Sequence, residues 1–423
     1  MKRLIQTLSS VARPDLKAAL EAAAIPLLSR LRDYLYGGRP LLDHVQALLD
    51  ALLSEPPPPL EDRGPTGTPW WSPTPAVYLA ALCEHVALPE VAKPGPGIPP
   101  HAQQSASTAR ELLRAGGCPF TVREHAVALI RNQSKPASLL GSGALAETYM
   151  QFACALDLRG LYWLRRAEAR IAGRQRAAAA LEGFREQLEG LGCFGAVPAA
   201  PLAEREVAAL GFDQAAELHR ALNALRYFRL VARMGEREWC AERLRQEKGN
   251  VAGRLHLLVG PAGCGKSSWA REHLAETVIV SSDRMREELT GDPGDQSQNY
   301  LVFQRCVDRV REELHRGRDV TFDATNCTER LREMPVQAGR WSGAEIVSHF
   351  FDDGLEAALE RNRTRDRLVP EQVVRRHYEI LDPPAIYEAD RHYVVDEAGE
   401  ERPYWPQLPE PAEGAQSELP GLL

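Results

Sequence analysis

The sequence lacks paired cysteines, long apolar runs and an excess of positive charge. Its eight cysteines are scattered, with no C-x-x-C pair and no histidine partner at zinc-finger spacing, so we expect reduced thiols in a cytoplasmic protein. No stretch is apolar for long enough to span a bilayer, and residues 1–20 do not resemble a signal peptide. We therefore expect no membrane partner. The net charge of −7 excludes a uniformly basic surface and limits any nucleic-acid contact to a local patch.

A glycine-rich segment follows the apolar run at residues 255–259 and has the spacing G-x-x-x-x-G-K-[ST]. Glycines at these positions let backbone N–H groups converge on phosphate oxygens, and the next helix adds its positive N-terminus. The lysine reaches the β- and γ-phosphates, and the serine hydroxyl ligates Mg²⁺. We therefore predict an ATP and Mg²⁺ site formed by Gly260, Gly263, Gly265, Lys266, Ser267 and Ser268.

The pattern of apolar residues changes at about residues 248–253, where helical spacing gives way to alternating strands and helices. This change predicts a multidomain protein, with an all-α N-terminal part and an α/β P-loop kinase domain built on a parallel sheet. The predicted units are a helical domain over 1–174 with a proline-rich insertion at 55–75, a helical bridging region over 175–250, the P-loop domain over 251–398 and a tail over 399–423.

Polar residues follow a second predicted strand at residues 277–282. Asp283 and Arg286 lie three residues apart at the start of a helix, and residues leaving the carboxyl end of a strand face the ligand crevice of such sheets. A carboxylate there can accept a proton from an attacking hydroxyl, and an arginine can hold a phosphate. The alternative interpretation is a helix-capping aspartate beside a solvated arginine.

Two further segments complete the predicted site. In DVTFDATN, Asp323 can order the magnesium shell, while Thr325 and Asn326 can contact the acceptor or the loop. Arginines then alternate in the segment RNRTRDRLVP, where they could form a lid that neutralises the transferring phosphoryl group. The alternative is a solvated run of charges. These arginines are Arg361, Arg363, Arg365 and Arg367.

Four segments within residues 253–396 together resemble the phage-type 5′-polynucleotide kinase family, including the kinase modules of bacterial end-healing enzymes. They are GPAGCGKSS, SSDRMR, DATN and RNRTRDRLVP, in that order. The first is shared by many nucleotide enzymes, and the Ser-Ser-Asp-x-x-Arg element with the arginine segment narrows the resemblance. It implies transfer of the γ-phosphate of ATP to 5′-hydroxyl ends of DNA or RNA, independent of base sequence.

The same resemblance implies a role for each matching residue. Asp283 would be the general base on the 5′-hydroxyl, and Arg286 would bind the 3′-phosphate of the acceptor. Lys266 and Arg365 would complete the catalytic group at the γ-phosphate, with Arg367 as the second choice for the lid arginine. The implied partners are DNA or RNA 5′ ends, and a ligase or other repair proteins are candidate partners.

The helical region over residues 44–174 resembles the HD phosphohydrolase superfamily, particularly the HD modules fused to nucleic-acid enzymes. The matching stretches are LLDHVQALLDAL, ALCEHVALPE, HAQQSASTARELL, VALIRNQSKP and LDLRGLYWLRRAEARIAGR. An intact member places a His-Asp doublet and further histidines and aspartates on facing helices. There they bind one or two metals that activate water.

Several positions of this chain depart from the HD pattern. The doublet reads Glu84-His85, and Gln133 stands at a later histidine position. Glutamine is a poor metal ligand, and a carboxylate moved by one residue on a helix turns about 100° away, so we predict a degenerate structural or end-docking domain. The alternative is a rearranged site that binds a divalent transition metal and hydrolyses phosphoesters at 3′ or 2′ ends. The candidate remnant consists of His44, Glu84, His85, His101 and Glu168.

Taken together, the motifs favour an ATP- and magnesium-dependent polynucleotide 5′-kinase of nucleic-acid repair. Two alternatives stay open, namely a P-loop kinase of a small molecule or nucleoside, and an ATP-gated binding module that phosphorylates nothing. Asp283 separates them, because a binding module needs no carboxylate facing the γ-phosphate, and no further motif reads a small substrate.

Overall fold

A computed structural model describes residues 34–36, 39–55, 73–87, 101–248, 252–364 and 367–404. Up to residue 248 these residues are almost entirely helical, apart from a short antiparallel pair of strands, β1 (Leu35–Tyr36) and β2 (Arg39–Pro40). The helices are α1 (Leu41–Ser54), α2 (Pro73–Cys83), α3 (His101–Ala115), α4 (Phe120–Arg131), α5 (Lys135–Ser142), α6 (Ala146–Ala155), α7 (Leu158–Ile171), α8 (Gln175–Gly190), α9 (Glu204–Ala209), α10 (Ala215–Leu230) and α11 (Arg237–Glu247).

Beyond residue 252 strands and helices alternate, as the change of pattern predicts. The elements are β3 (Leu255–Val259), α12 (Lys266–His273), β4 (Val278–Ser281), α13 (Ser282–Thr290), α14 (Asn299–His315), β5 (Val320–Asp323), α15 (Glu329–Ser342), β6 (Ile346–Phe351), α16 (Leu355–Arg363), α17 (Glu371–Ile380), β7 (Arg391–Val395) and β8 (Glu401–Pro403).

The six strands from β3 to β8 form one sheet in the order β4-β5-β3-β6-β7-β8. All neighbours pair in parallel except β7 and β8, which are antiparallel. β3 is a central strand and all five of its side chains are buried, as expected where helices cover both faces of a parallel sheet, which explains the unbroken apolar run before the P-loop. The chain crosses from β3 to β4 and returns through β5, so the ligand crevice of this topology lies at the carboxyl end of β3.

The helical and α/β parts share one hydrophobic core that includes residues from α1 to Tyr404, just after β8. At their boundary the ring of Phe120, on α4, contacts two rings of the α/β part edge-on, with interplanar angles of 61° and 60°. Its centroid lies 5.3 Å from that of Phe350 on β6 and 4.9 Å from that of Tyr404. The two parts therefore pack as closely as elements of a single domain.

The predicted fold class, helical at the N-terminal side and α/β with a P-loop at the C-terminal side, is confirmed. The sheet continues past residue 398, where the sequence places the end of the domain, because β8 pairs with β7 and Tyr404 joins the core. Most of the proline-rich insertion, and the tail from residue 405, lie outside the described residues. Within the described ranges, no helix is both long and apolar enough to cross a membrane.

The boundary packing predicts a large effect of Phe120→Ala on stability. Removing a ring that is 6% exposed and contacts both parts leaves a cavity, and we expect the free energy of unfolding in urea to fall by about 3 to 5 kcal/mol. Leu145→Ala is the control, because that side chain is 66% exposed and should change stability little. Equal stability of the two variants would contradict tight packing at the boundary.

Candidate active site

The predicted phosphate-binding loop lies between β3 and α12. Lys266, the first residue of α12, is buried, and its Nζ donates to the carbonyl oxygens of Gly260 at 2.8 Å and Pro261 at 2.6 Å. Gly263 and Gly265 have φ of 85° and 92°, which only glycine adopts without strain. The chain thus forms the cradle that the motif predicts, and its lysine lies folded over it.

The carboxyl end of β5 brings the predicted magnesium ligands together. The Ser267 hydroxyl donates to Oδ2 of Asp323 at 2.7 Å, across 56 positions of sequence. Asp323 is the last residue of β5 and is 8% exposed. A serine hydroxyl after the P-loop lysine and a carboxylate at the end of a neighbouring strand are oxygen donors suited to Mg²⁺ bound with a nucleotide.

The loop after β5 is fixed by hydrogen bonds to the core. The carbonyl of Thr325 accepts from the Gly260 N–H at 2.9 Å, and the Asn326 amide donates to the carbonyl of Leu258 at 2.8 Å. Asn326 has φ of 48°, a left-handed conformation that asparagine tolerates. The buried Arg332 donates to its carbonyl at 3.0 Å. Thr325 and Asn326 therefore hold the P-loop and its strand, which is one of the two roles predicted for them, and contact with the acceptor stays a prediction.

Asp283 and Arg286 lie together at the start of α13, as predicted. Arg286 donates to Oδ1 of Asp283 at 2.8 Å and to Oδ1 of Asn299, the first residue of α14, at 3.0 Å. The N-cap of α13 is Ser281, and Arg286 is only 5% exposed. The alternative of a capping aspartate beside a solvated arginine is therefore wrong. The arginine is held in the fold, and the carboxylate is half exposed at its edge.

The arginine segment contacts the predicted base and is held at its two ends. Arg367 lies 3.4 Å from Oδ2 of Asp283, so the segment reaches the predicted base. Asn362 holds the two ends of the segment together. Its side-chain amide donates to the carbonyl of Val369 at 2.7 Å, and its Oδ1 accepts from the Val369 N–H at 3.1 Å. Arg365, the predicted catalytic lid arginine, lies outside the described residues.

Two contacts to the P-loop were not predicted from the sequence. Arg361 donates through Nε to the carbonyl of Gly263 at 3.1 Å, and Nδ1 of His377, on α17, accepts from the Ala262 N–H at 3.4 Å. Burial and the nearby charge of Lys266 lower the pKa of His377 to about 4, so its ring is neutral at neutral pH. A histidine 115 residues from its partner leaves no local signal, whereas Arg361 belongs to the arginine run already singled out.

The HD-like candidates also converge, in the helical domain. His44 of α1 lies 3.0 Å from Oε2 of Glu168 on α7, and its ring centroid is 5.4 Å from that of His85, just after α2. His85 stacks on His101, the first residue of α3, at 6.1 Å between centroids. One nitrogen or oxygen of each of His44, His85 and Glu168 lies within 4.8 Å of the others, and this donor set fits a divalent transition metal.

The two departures from the HD pattern also lie at this cluster. Gln133 approaches Nε2 of His101 at 3.5 Å. Glu84 is fully buried and forms an ion pair with Arg165, a residue of α7 that the sequence did not single out. Arg165 and Glu168 are three positions apart on one helix face, so a guanidinium lies beside the three possible ligands.

The cluster perturbs the protonation of its members. Burial lowers the pKa of His85 to about 3, so its ring is neutral, which is the form that binds metals. Burial raises the pKa of Glu84 to about 7, although Arg165 opposes the shift. Burial acts to raise the pKa of Glu168 as well, but the hydrogen bond and charge of His44 hold it below its ordinary value. Burial and Arg165 lower the pKa of His101.

The fold and the groups at the strand ends define the C-terminal domain as a P-loop nucleotide-binding module. A family model described as an AAA domain matches residues 255–384, which run from β3 to just past α17. Among solved structures, a gluconokinase from Sinorhizobium meliloti 1021 is similar at 16% identity and a TM-score of 0.27, over 37% of this chain and 86% of its own. No curated protein matches the chain.

The P-loop geometry predicts that Gly263→Ala weakens nucleotide binding. A Cβ at residue 263 would lie 2.7 Å from the carbonyl oxygen of Ala358, and the backbone has positive φ, so the loop must shift. We expect the affinity for a fluorescent ATP analogue to fall by about tenfold or more, in a protein with unchanged circular dichroism. Gly183→Ala, in α8 with open space around it, is the matched control. Tight binding by the Gly263 variant would contradict the assignment.

Proposed function

We propose that the chain is an ATP- and Mg²⁺-dependent polynucleotide 5′-kinase that transfers the γ-phosphate to 5′-hydroxyl ends of DNA or RNA in nucleic-acid repair. The observation that supports this most is the placement of Asp283. Its carboxylate stands at the carboxyl edge of β4, in contact with both the buried Arg286 and the lid residue Arg367. A half-exposed carboxylate next to two arginines suits a base that meets an acceptor bearing phosphate.

In this proposal the chain positions the reactants and supplies charge. Lys266 and the P-loop amides hold the phosphates of ATP, and Ser267 with Asp323 holds Mg²⁺, which neutralises charge that develops on the phosphoryl oxygens. Asp283 takes the proton of the 5′-hydroxyl. Arg286 binds the neighbouring 3′-phosphate, which gives recognition without reading a base. Lid arginines, Arg365 or Arg367, approach the γ-phosphate.

Strand pairing supports the geometry of this transfer. Ser281 of β4 is in register with Asp323 of β5, so the proposed base follows its strand at the level of the proposed magnesium ligand. A small-molecule kinase would use the same P-loop. An acceptor without a phosphate, however, would have no use for Arg286 beside the base. An ATP-gated binding module would not need Asp283 at all.

For the helical domain we propose a degenerate, catalytically silent HD-like site. The support is the ion pair of Glu84 with Arg165, which places a guanidinium charge beside the possible ligands and weakens the attraction for a cation. The convergence of His44, His85 and Glu168 favours a second candidate, a metal-dependent phosphoesterase acting on 3′ or 2′ ends. A metal there would supply an activated water.

The kinase is tested by transfer of labelled γ-phosphate from ATP to 5′-hydroxyl DNA and RNA oligonucleotides in Mg²⁺. Because Asp283 is the proposed base, Asp283→Ala should lower kcat by about 10²- to 10⁴-fold with ATP affinity intact. Asp308→Ala, an exposed carboxylate on α14, should retain activity. Absence of transfer to either polymer by the wild type would refute the polynucleotide substrate and direct attention to small hydroxyl acceptors.

The silent-site proposal predicts no phosphoesterase activity from the histidine cluster. Phosphate release from 3′-phosphate and 2′,3′-cyclic phosphate ends, measured with added Mn²⁺ or Zn²⁺, should be no faster for the wild type than for His44→Ala. His315→Ala, an exposed histidine at the end of α14, controls for surface metal binding. Release that is lost only in the His44 variant would establish the second candidate instead.

A further inference from the structure

Two helices of the N-terminal domain hold the loop that follows β6. Arg114 on α3 and Arg123 on α4 both donate to Oδ1 of Asp352, at 2.5 Å and 2.6 Å. Asp352 comes directly after β6 and is 8% exposed. A carboxylate with two arginine donors in a buried position is fixed far more firmly than a surface ion pair.

The same two helices hold the end of α17, the helix that follows the arginine segment. Arg110 donates to the carbonyl oxygens of Leu381 at 2.9 Å and Tyr378 at 3.3 Å. Arg131 donates to the carbonyls of Leu381 and Glu379, both at 2.9 Å. These carbonyls have no partner further along α17, so the helical domain caps its last turn.

The buried carboxylate of Glu124 fixes the positions of two of these arginines. Glu124 accepts from Arg110 at 2.6 Å and from Arg123 at 2.9 Å, and it is 1% exposed. Burial acts to raise the pKa of Glu124, but the two guanidinium groups hold it at about 2, so it carries its charge at neutral pH. The arginines therefore stay in place to reach Asp352 and the end of α17.

The segments held in this way are those that contact the P-loop. Asp353, next to Asp352, forms an ion pair with Arg361, whose Nε donates to the carbonyl of Gly263. His377, next to the capped turn of α17, accepts from the P-loop N–H of Ala262. The elements on either side of the arginine segment therefore contact the P-loop, through Arg361 and His377, and both are held by the helical domain.

We propose that Arg114 and Arg123 are positioning residues of the kinase. They act through Asp352 to hold Arg361, at the start of the arginine segment, and the P-loop in the geometry that binds ATP. On this view the helical domain is an obligatory part of the nucleotide site. The inference uses the phosphotransferase module alone and needs no particular acceptor, so it is separable from the polynucleotide proposal.

The test is a double-mutant cycle with Arg114→Gln and Asp352→Asn, measured as the dissociation constant of a fluorescent ATP analogue with the full-length protein. We expect each variant to bind ATP about tenfold more weakly, because energy of this size is typical of coupling between sites. The double variant should be little weaker than Asp352→Asn alone, because that variant already removes the ion pair with Arg114. Arg114→Lys, which keeps the charge, should recover part of the affinity.

Arg185→Gln is the control, because it removes an exposed ion pair on α8. Thermal unfolding of every variant separates lost positioning from lost folding, and if Asp352→Asn does not fold, Arg114→Gln against Arg114→Lys decides the question. Folded variants with wild-type ATP affinity overturn the inference. A wild type that binds ATP but labels no nucleic acid refutes the polynucleotide substrate and leaves this comparison of ATP affinities valid.

Discussion

The structure depends on how it neutralises one buried carboxylate, that of Glu124. An ionised carboxylate without partners is too costly to bury, and this one lies between Arg110 and Arg123, each of which also reaches across the domain boundary. Removing either arginine would leave the buried carboxylate with a single guanidinium partner and would break one contact across the boundary. The ion pairs of Glu124 therefore join the helical domain to the P-loop domain, and a change at one member affects the others. The apolar contacts of Phe120 add to this boundary.

The chemistry of the P-loop domain follows from its sheet. A parallel sheet brings the carboxyl ends of its strands to one edge, and each strand there delivers one group: Ser267 after β3, Asp283 after β4 and Asp323 at the end of β5. Arg367 of the arginine segment contacts Asp283 at this edge. No single segment carries the site, which is why its parts are spread over a hundred residues and yet meet within a few ångströms.

The helical domain shows two ways to satisfy one group of side chains. His44, His85 and Glu168 offer the nitrogen and oxygen donors that a metal prefers. The guanidinium of Arg165 instead places a positive charge next to Glu84. A guanidinium stabilises the carboxylate without activating water, and a metal would do both. The domain therefore combines a cluster of metal-ligand side chains with the structural task of capping α17.

The sequence by itself determined the parts of the site that depend on local order, because a P-loop needs its glycines, lysine and serine at fixed spacing and a strand-end residue needs only its strand. On this basis the placement of Ser267 and Asp323 at one edge of the sheet could be foreseen, and the family resemblances pointed to the histidine cluster. Only the tertiary structure decided the contacts of His377, Arg361 and Arg165. Each joins groups that lie far apart in the chain. Domain docking and helix packing bring these groups together, and neither process leaves a short-range pattern in the sequence.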